Sequence, residues 1–346
     1  MNKPMRRIGA LAGLVWLAQT MSLGATSDDQ DGPDPQEVLR LIRTNLPEVT
    51  EPELNAAMVQ GLIARFQPRV ELVSDAESDP IRDSTPRISR SAVYEQTIGY
   101  LRIDGVGPGL PEELSTRWTE LRGANPLNAL VLDLRFSGGQ DYTAAANAAD
   151  LFVRGEKPLL AWDETIIRST GKGGDFLPLA VLVNGETRGA PEAMAAALRE
   201  TGTALVIGSQ TTGQAYVYRE FALNGQTLRI ASMPVKTGNG RSLKDGVSPD
   251  IEARLPVDQE RVFYSDPYAT LPGETAALRS NRPRISEAEL VRRRREGDLS
   301  SPFSSSGLDS TDRSRPEPQE LRDPALVQAI DVLKGIVIVG APASAK

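Results

Sequence analysis

The feature that most constrains the fold is a set of continuous apolar segments separated by helical patterns. Residues 129–134, 179–183 and 204–207 are almost entirely apolar, and the alanine-rich stretches 142–152 and 191–201 lie between them. A strand with one exposed face alternates apolar and polar residues, whereas a strand covered on both faces is apolar throughout. The sequence therefore predicts an α/β core whose sheet is covered on both faces.

Apolar spacing and turn signals predict the remaining elements. Pro52 suits the first turn of a helix, and the pair Asn224-Gly225 is typical of a tight hairpin turn. The predicted elements are helices at 36–44, 52–66, 111–123 and 323–334, one or two strands within 94–103, a hairpin of 216–222 with 227–233, and a short strand at 336–339. They indicate one α/β core flanked by helical segments.

The chain divides into five parts on these patterns. They are a signal peptide at 1–27, an N-terminal helical segment and linker at 28–92, the α/β core at 93–257, a region at 258–320, and a C-terminal helix and tail at 321–346. The region 258–320 is rich in Pro, Ser, Arg and Glu, and its part 298–318 lacks hydrophobic periodicity. That composition predicts a disordered surface region.

The first residues have the composition of a secretory signal peptide. Lys3, Arg6 and Arg7 precede an apolar segment at 8–18, and small residues follow at Gly24 and Ala25. The apolar segment is shorter than the roughly 18 residues of a membrane span. The sequence therefore predicts export to the periplasm or the extracellular space, and no membrane span.

Composition excludes several kinds of chemistry. The chain contains 0 His and 0 Cys, so a Ser-His-Asp triad, a Cys-His pair and any His or Cys metal site are ruled out. The net charge of −7 becomes −10 once the three basic residues of the signal peptide are removed. An acidic surface disfavours nucleic acid as a partner, and no cofactor or metal ion is predicted.

Five separate motifs carry a resemblance to a known family. They are the apolar strand that ends in Asp133-Leu134-Arg135 with Gly138-Gly139, the strand that ends at Asn184, the helix opened by Glu192, the loop 210–214, and Gly246-Val-Ser-Pro-Asp250. In this order and spacing the chain is similar to the C-terminal processing, or tail-specific, serine peptidases. The resemblance covers roughly residues 98–251 and implies the ββα-superhelix architecture of the ClpP and crotonase-like proteins.

The resemblance also implies where a catalytic dyad belongs. The family uses a Ser nucleophile and a Lys general base with an assisting Gln, and these three positions hold Gly189, Gln214 and Tyr218. Glycine has no side chain, and a neutral amide takes up no proton near pH 7. The sequence therefore predicts a pseudopeptidase in which no catalytic residue is intact.

Backbone N–H groups that bind a substrate carbonyl can remain in place after the side chains of a catalytic dyad are lost. The pair Gly138-Gly139 resembles the family's oxyanion turn, and its alternative interpretation is a strand-to-helix turn that needs positive φ. Arg188 lies beside the nucleophile position, and its side chain either enters the substrate cleft that the resemblance implies or points to solvent. Asp133 and Arg135 are interpreted as residues of the fold. Gly138, Gly139 and Arg188 are thus candidates for peptide binding.

Three functional hypotheses follow for this site. The first is a binding protein that holds a peptide or protein partner in the retained groove. The second is an active serine-type endopeptidase with a displaced nucleophile at Thr187, Thr211, Thr212 or Ser209 and a base at Lys172, Lys236 or Lys244. The third is an apolar small-ligand binder on the same fold. The family's usual PDZ domain is not expected, because only residues 67–92 separate the N-terminal helices from the core, fewer than a domain needs.

Overall fold

A computed structural model describes residues 32–74, 87–173, 177–271 and 320–340. The helices are α1 (Pro35–Asn45), α2 (Glu51–Phe66), α3 (Leu110–Ala124), α4 (Tyr142–Asp150), α5 (Ala190–Glu200), α6 (Val257–Ser265) and α7 (Pro324–Gly340). The longer strands are β1 (Val70–Ser74), β2 (Ile88–Tyr94), β3 (Ile98–Ile103), β4 (Ala129–Asp133), β6 (Pro158–Trp162), β7 (Thr165–Arg168), β9 (Leu179–Val183), β10 (Ala204–Gly208), β11 (Tyr216–Leu223) and β12 (Gln226–Pro234). Two-residue strands are β5 (Arg154–Gly155), β8 (Gly171–Lys172), β13 (Lys236–Thr237) and β14 (Ile251–Glu252).

A six-stranded sheet in the order β14-β10-β9-β4-β3-β2 forms the centre of the fold. Strands β3, β4, β9, β10 and β14 are parallel, and β2 joins the edge antiparallel to β3. The predicted α/β class and the apolar strands at its centre are confirmed. Because the parallel strands end at one edge, the turns after β4 and β9 lie side by side.

The side chains of β4 alternate between two cores. Leu130 and Leu132 pack with α3, α4 and α5, whereas Val131 packs with α7 on the opposite face. Both faces are covered, which is why the segment needed no polar alternation. Alanines fill most of α4, and this allows α4 and α5 to pack closely beside each other.

A separate three-stranded sheet in the order β1-β12-β11 contains the predicted hairpin. Strands β11 and β12 are joined by a tight turn at Asn224-Gly225, and both of these residues have positive φ. The hairpin that the sequence predicts at this pair is therefore present. Strand β1 was not predicted and pairs with β12. Strand β1 and the first part of β2 lie within residues 28–92, which the sequence assigned to helices and a linker.

Two sequence predictions in the C-terminal part are wrong. Residues 336–339 were predicted as a strand, but α7 continues through them to Gly340. Once a helix is formed, each added residue gains a hydrogen bond without a new nucleation cost, and this outweighs the β preference of Ile and Val. The start of the predicted disordered region is helix α6, whose Phe263 and Glu260 are buried.

Other predictions fall on residues that the structure does not describe. They concern the signal peptide at 1–27 and the greater part of the low-complexity region at 258–320. The described chain forms two compact units, one up to Gly61 and one from Leu62 onward. In the first unit the Arg43 guanidinium and the Glu51 carboxylate join α1 to α2 at 2.6 Å. No helix within the described ranges is long and apolar enough to cross a membrane.

Candidate functional site

Two turns at the carboxyl ends of β4 and β9 form the centre of the candidate site. The backbone N–H of Arg188 donates to the Ser137 carbonyl at 3.0 Å, and the N–H of Ala190 donates to the Gly139 carbonyl at 2.8 Å. These bonds fix the turn after β4 against the start of α5. Two of the five motifs that carried the family resemblance are therefore in direct contact.

Gly189, at the expected nucleophile position, is the capping residue directly before α5 and has a positive φ. Its φ is 72° and its ψ is −122°. A Cβ added there would lie 2.2 Å from the Gly139 carbonyl oxygen, well inside van der Waals contact. The space of the missing side chain is thus filled by main chain, and only glycine fits.

Gly139 has a similar constraint on the other side of the contact. Its φ is 152°, and an added Cβ would lie 2.1 Å from the carbonyl oxygen of Val106. Gly138 instead bridges to Gly105, and its carbonyl accepts the Val106 N–H at 2.9 Å. The predicted need for positive φ therefore holds at Gly139, whereas Gly138 is not among the positive-φ glycines of the described chain.

A buried carboxylate, Glu192, connects the start of α5 to the loop that carries the expected base position. Its Oε2 accepts the N–H of Gly189 and the N–H of Gln214, each at 2.8 Å. Its Oε1 accepts the N–H of Gly213 at 2.6 Å and the hydroxyl of Thr211. The Gly189 N–H, a group of the kind that lines an oxyanion hole, is therefore already bonded within the protein.

The environment of Glu192 acts on its pKa in two directions. Burial raises the pKa, and hydrogen bonds from Thr211, Gly213, Gly189 and Gln214 lower it without cancelling the effect of burial. Desolvation of a carboxylate favours its neutral form, while donors favour the charged form. The net pKa lies above the ordinary value for glutamate.

The three threonines proposed as displaced nucleophiles bond to nearby protein groups. Thr187 donates to the Leu134 carbonyl at 2.8 Å, and Thr211 accepts from the Val247 N–H at 2.9 Å. Thr212 lies 3.0 Å from the carbonyl of Thr187, where its hydroxyl donates. These contacts are those of hydroxyls that stabilise turns.

The lysines proposed as displaced bases lie at the surface. Lys172 is in β8, Lys236 is in β13 and Lys244 is in the loop before Gly246, and all three are exposed. Arg188 is exposed as well, in agreement with its solvent interpretation. The threonines Thr187 and Thr211, by contrast, are buried.

Arg135 lies in a buried charge network below the turn. It bonds Asp133 at 2.7 Å and Asp323, the capping residue of α7, at 2.8 Å. Glu260 of α6 lies 3.9 Å from the Arg135 guanidinium and accepts from the Asn184 amide at 3.0 Å. The interpretation of Asp133 and Arg135 as residues of the fold agrees with this arrangement, which joins β4, β9, α6 and α7.

A cavity of about 490 Å³ opens beside Gly139. Four aromatic side chains line it, together with residues of the loop after β3, the start of α4 and the β11–β12 hairpin. They are Tyr142, Trp162, Tyr216 and Tyr218, with Val106, Gly107, Pro108, Gly139, Gln140, Asp141, Thr143, Val217, Glu220 and Arg229. The cavity lies beside the glycine turn where the family resemblance predicted a groove, and its lining is rich in aromatic side chains.

The rings of this cavity are held by the protein's own hydrogen bonds. The Tyr142 hydroxyl donates to the Tyr216 carbonyl at 2.8 Å, and Tyr142 and Trp162 pack with ring centroids 5.9 Å apart. The Tyr218 hydroxyl donates to the Pro68 carbonyl at 3.3 Å, and burial raises the pKa of Tyr218 to about 12. Tyr218, at the expected assisting position, is therefore neutral at physiological pH and lines the cavity.

Sequence reasoning missed several residues of this site. Glu192 appeared only as the acidic residue that opens a helix, and nothing in its spacing to the loop 211–214 indicated that it binds that loop. Glu260 fell within the low-complexity region, and Trp162 was not selected. The only available signal was composition, because a Glu in an otherwise apolar and alanine-rich helix needs polar partners.

The fold and the site together define the class of this protein. A mixed α/β sheet whose strand ends present a glycine turn, a helix opened by Glu192 and an adjoining groove has the architecture of a serine-type peptidase. Residues 97–253 match the model of peptidase family S41, and this domain of the chain belongs to that family.

The relatives found by sequence are processing peptidases. The chain is 31% identical over 185 residues to the chloroplastic C-terminal processing peptidase of Tetradesmus obliquus, covering 50% of this chain and 40% of that protein. It is 30% identical over 187 residues to the carboxy-terminal-processing protease of Bartonella bacilliformis, covering 49% of this chain and 42% of that protein. The chain thus matches less than half the length of these relatives.

Among solved structures, a photosystem II D1 C-terminal processing protease shares 28% sequence identity with this chain. That match covers 56% of this chain and 50% of the other, with a TM-score of 0.41.

Proposed function

We propose that this protein is an exported, catalytically inactive member of its family that binds a peptide or protein partner in the aromatic groove. The observation that carries the proposal is the contact between Gly139 and Gly189, which fills the space of a nucleophile side chain with a carbonyl oxygen. Acyl transfer needs a nucleophile, a base and free oxyanion donors in one place. Here glycine and glutamine occupy the first two positions.

The groove supports a binding role independently of the dyad. Its aromatic side chains offer large apolar surface at a low cost in conformational entropy, which suits recognition. Export is supported by the basic and apolar pattern of residues 1–27. Neither property depends on hydrolysis.

A hydrolysis assay tests the catalytic half of the proposal. The exported protein is incubated with an unfolded protein and with peptides that carry free C-termini, beside the double variant Gly189→Ser with Gln214→Lys. We expect no cleavage by the natural protein. We also expect little from the variant, because the new serine Cβ meets the Gly139 carbonyl. Cleavage by the natural protein that persists through purification, and is lost in Thr187→Val or Thr211→Val, contradicts the proposal.

A fluorescence titration tests the binding half. Trp162 lines the groove, whereas Trp118 packs against Phe152 elsewhere. Peptide binding is expected to change the emission of the natural protein and of Trp118→Phe, but not of Trp162→Phe. If no peptide changes the emission and calorimetry detects no heat, the groove is not a peptide site.

A further inference from the structure

The outer edge of β11 is exposed beside the aromatic cavity. Strand β11 ends the sheet order β1-β12-β11, and within the described ranges no strand pairs with its other side. Its residues Arg219 to Leu223 are exposed, with Phe221 at 46% and Leu223 at 47% of their full accessible surface. Uncovered strand edges with apolar residues tend to pair with another chain. This edge is therefore open to an additional strand.

Backbone geometry identifies the groups that an additional strand would meet. The N–H of Ala231 donates on the side of β12 that faces β1. Neighbouring residues of a strand point their N–H and C=O groups to opposite sides, so those of Ile230 face β11 and pair with Arg219. The backbone groups of Tyr218 and Glu220 consequently point outward from the sheet edge.

The same stretch of β11 forms one wall of the cavity. Tyr216, Val217, Tyr218 and Glu220 all line it, and Trp162 contributes a further aromatic ring. Side chains of an added strand alternate in direction, so every second one would face the sheet's cavity side. A cavity of about 490 Å³ accommodates a large apolar side chain.

The charges of the cavity disfavour an acidic ligand. The Arg229 guanidinium bonds the Glu220 carboxylate at 3.1 Å. The Asp141 carboxylate accepts the Ala144 N–H at 2.8 Å, as the cap of α4. Among the residues that line the cavity, two carboxylates therefore accompany one guanidinium, and that guanidinium is paired with Glu220. A free C-terminal carboxylate would add a third negative charge.

We infer that β11 binds an internal, extended segment of a partner protein as an additional strand, and that the cavity holds one large apolar side chain of that segment. The inference rests on the proposed function, since it specifies the ligand of the same groove. It assigns affinity to main-chain pairing at Tyr218 and Glu220. It assigns specificity to the aromatic rings.

The experiment uses a capped peptide that alternates threonine and valine around one central phenylalanine, titrated into the full protein by calorimetry. Two further peptides carry N-methyl groups on alternate amides. One is methylated at the odd-numbered residues and the other at the even-numbered residues. Strand pairing predicts that one set weakens binding about tenfold and the other less than about twofold, because only alternate N–H groups bond to β11. Equal effects of both sets overturn the inference.

A second comparison tests the cavity. Replacing the central phenylalanine by alanine is expected to weaken binding about tenfold. In Trp162→Ala that preference is expected to disappear, while the matched variant Trp118→Ala keeps it. If the Trp162 variant retains the full preference, the cavity does not hold the side chain.

The fate of the inference and that of the proposed function are distinguishable. Binding of a peptide with a free C-terminus, without binding of the capped peptide, overturns the inference and leaves the proposed function standing. Failure of every peptide contradicts both. Binding of a small aromatic compound alone, with no dependence on main-chain amides, indicates a small apolar ligand and also overturns the inference.

Discussion

The carbonyl oxygen of Gly139 lies 2.2 Å from the point where a side chain on Gly189 would place its Cβ. The two turns are held in this contact by the hydrogen bond from Ala190 to Gly139. A serine at residue 189 therefore needs a movement of the turn after β4 as well as a new side chain. The proposed inactivity therefore rests on the backbone of these two turns as well as on the residues at the dyad positions.

Substitution of Gly189 by alanine is expected to destabilise the protein strongly. A backbone conformation this sparsely populated costs a residue with a Cβ about 1–3 kcal/mol, and the collision with Gly139 adds to this. Urea unfolding measures the loss. Gly202→Ala is the matched control, because Gly202 has a φ of 69° and open space around it. Equal losses in both variants would show that the Gly139 contact has no steric cost.

Glu192→Gln is expected to lower the free energy of unfolding by about 2–4 kcal/mol, since an amide NH₂ would face backbone N–H groups and leave buried donors without an acceptor. The groups affected are the N–H groups of Gly189, Gly213 and Gln214. Chemical denaturation is the measurement. Glu164→Gln, at an exposed position in the β6–β7 turn, is expected to change stability by less than about 0.5 kcal/mol. A fully stable Glu192 variant would argue against the bonding described for this carboxylate.

Arg135→Met is expected to cost about 3–5 kcal/mol, because it leaves buried carboxylates without their cation. Asp133 and Asp323 are both fully buried. The comparison is Arg199→Met, which breaks the partly exposed pair with Asp250 and is expected to cost about 0–1 kcal/mol. Thermal and urea unfolding of the two variants give the difference. Similar costs for both would show that the network contributes no more than a surface pair.

Stability is expected to fall as pH rises above about 4.5, the ordinary pKa of a glutamate. Burial raises the pKa of Glu260 in the folded state, so the folded state keeps a proton that the unfolded state releases. The stability that this retained proton contributes is complete below the pKa of Glu260 in the unfolded state. It is lost as pH rises through the pKa of Glu260 in the folded state. Unfolding free energies at a series of pH values should show a shallower decline in Glu260→Gln than in the natural protein. If the unfolding free energy of Glu260→Gln declines with pH as steeply as that of the natural protein, Glu260 is not the source of the decline.

Much of the fold followed from local patterns in the sequence. The apolar runs located β4, β9 and β10, the Asn224-Gly225 turn located the hairpin, and the motif order identified the family. These signals are short in range, since side-chain periodicity and turn chemistry depend on neighbouring residues. Strand β1 and the end of α7 were missed because their state depends on partners or on a helix already formed.

The sequence by itself determined the residue types at the positions that the resemblance assigns to the dyad, and Gly189 and Gln214 supply neither a nucleophile nor a base there. Only the tertiary structure decided that the Gly139 carbonyl fills the vacated space and that Glu192 bonds the Gly189 N–H. It also placed Arg135 against Asp323, a partner 188 residues away along the chain. These contacts arise when the sheet brings strand ends together, and their distances depend on packing that no local pattern encodes.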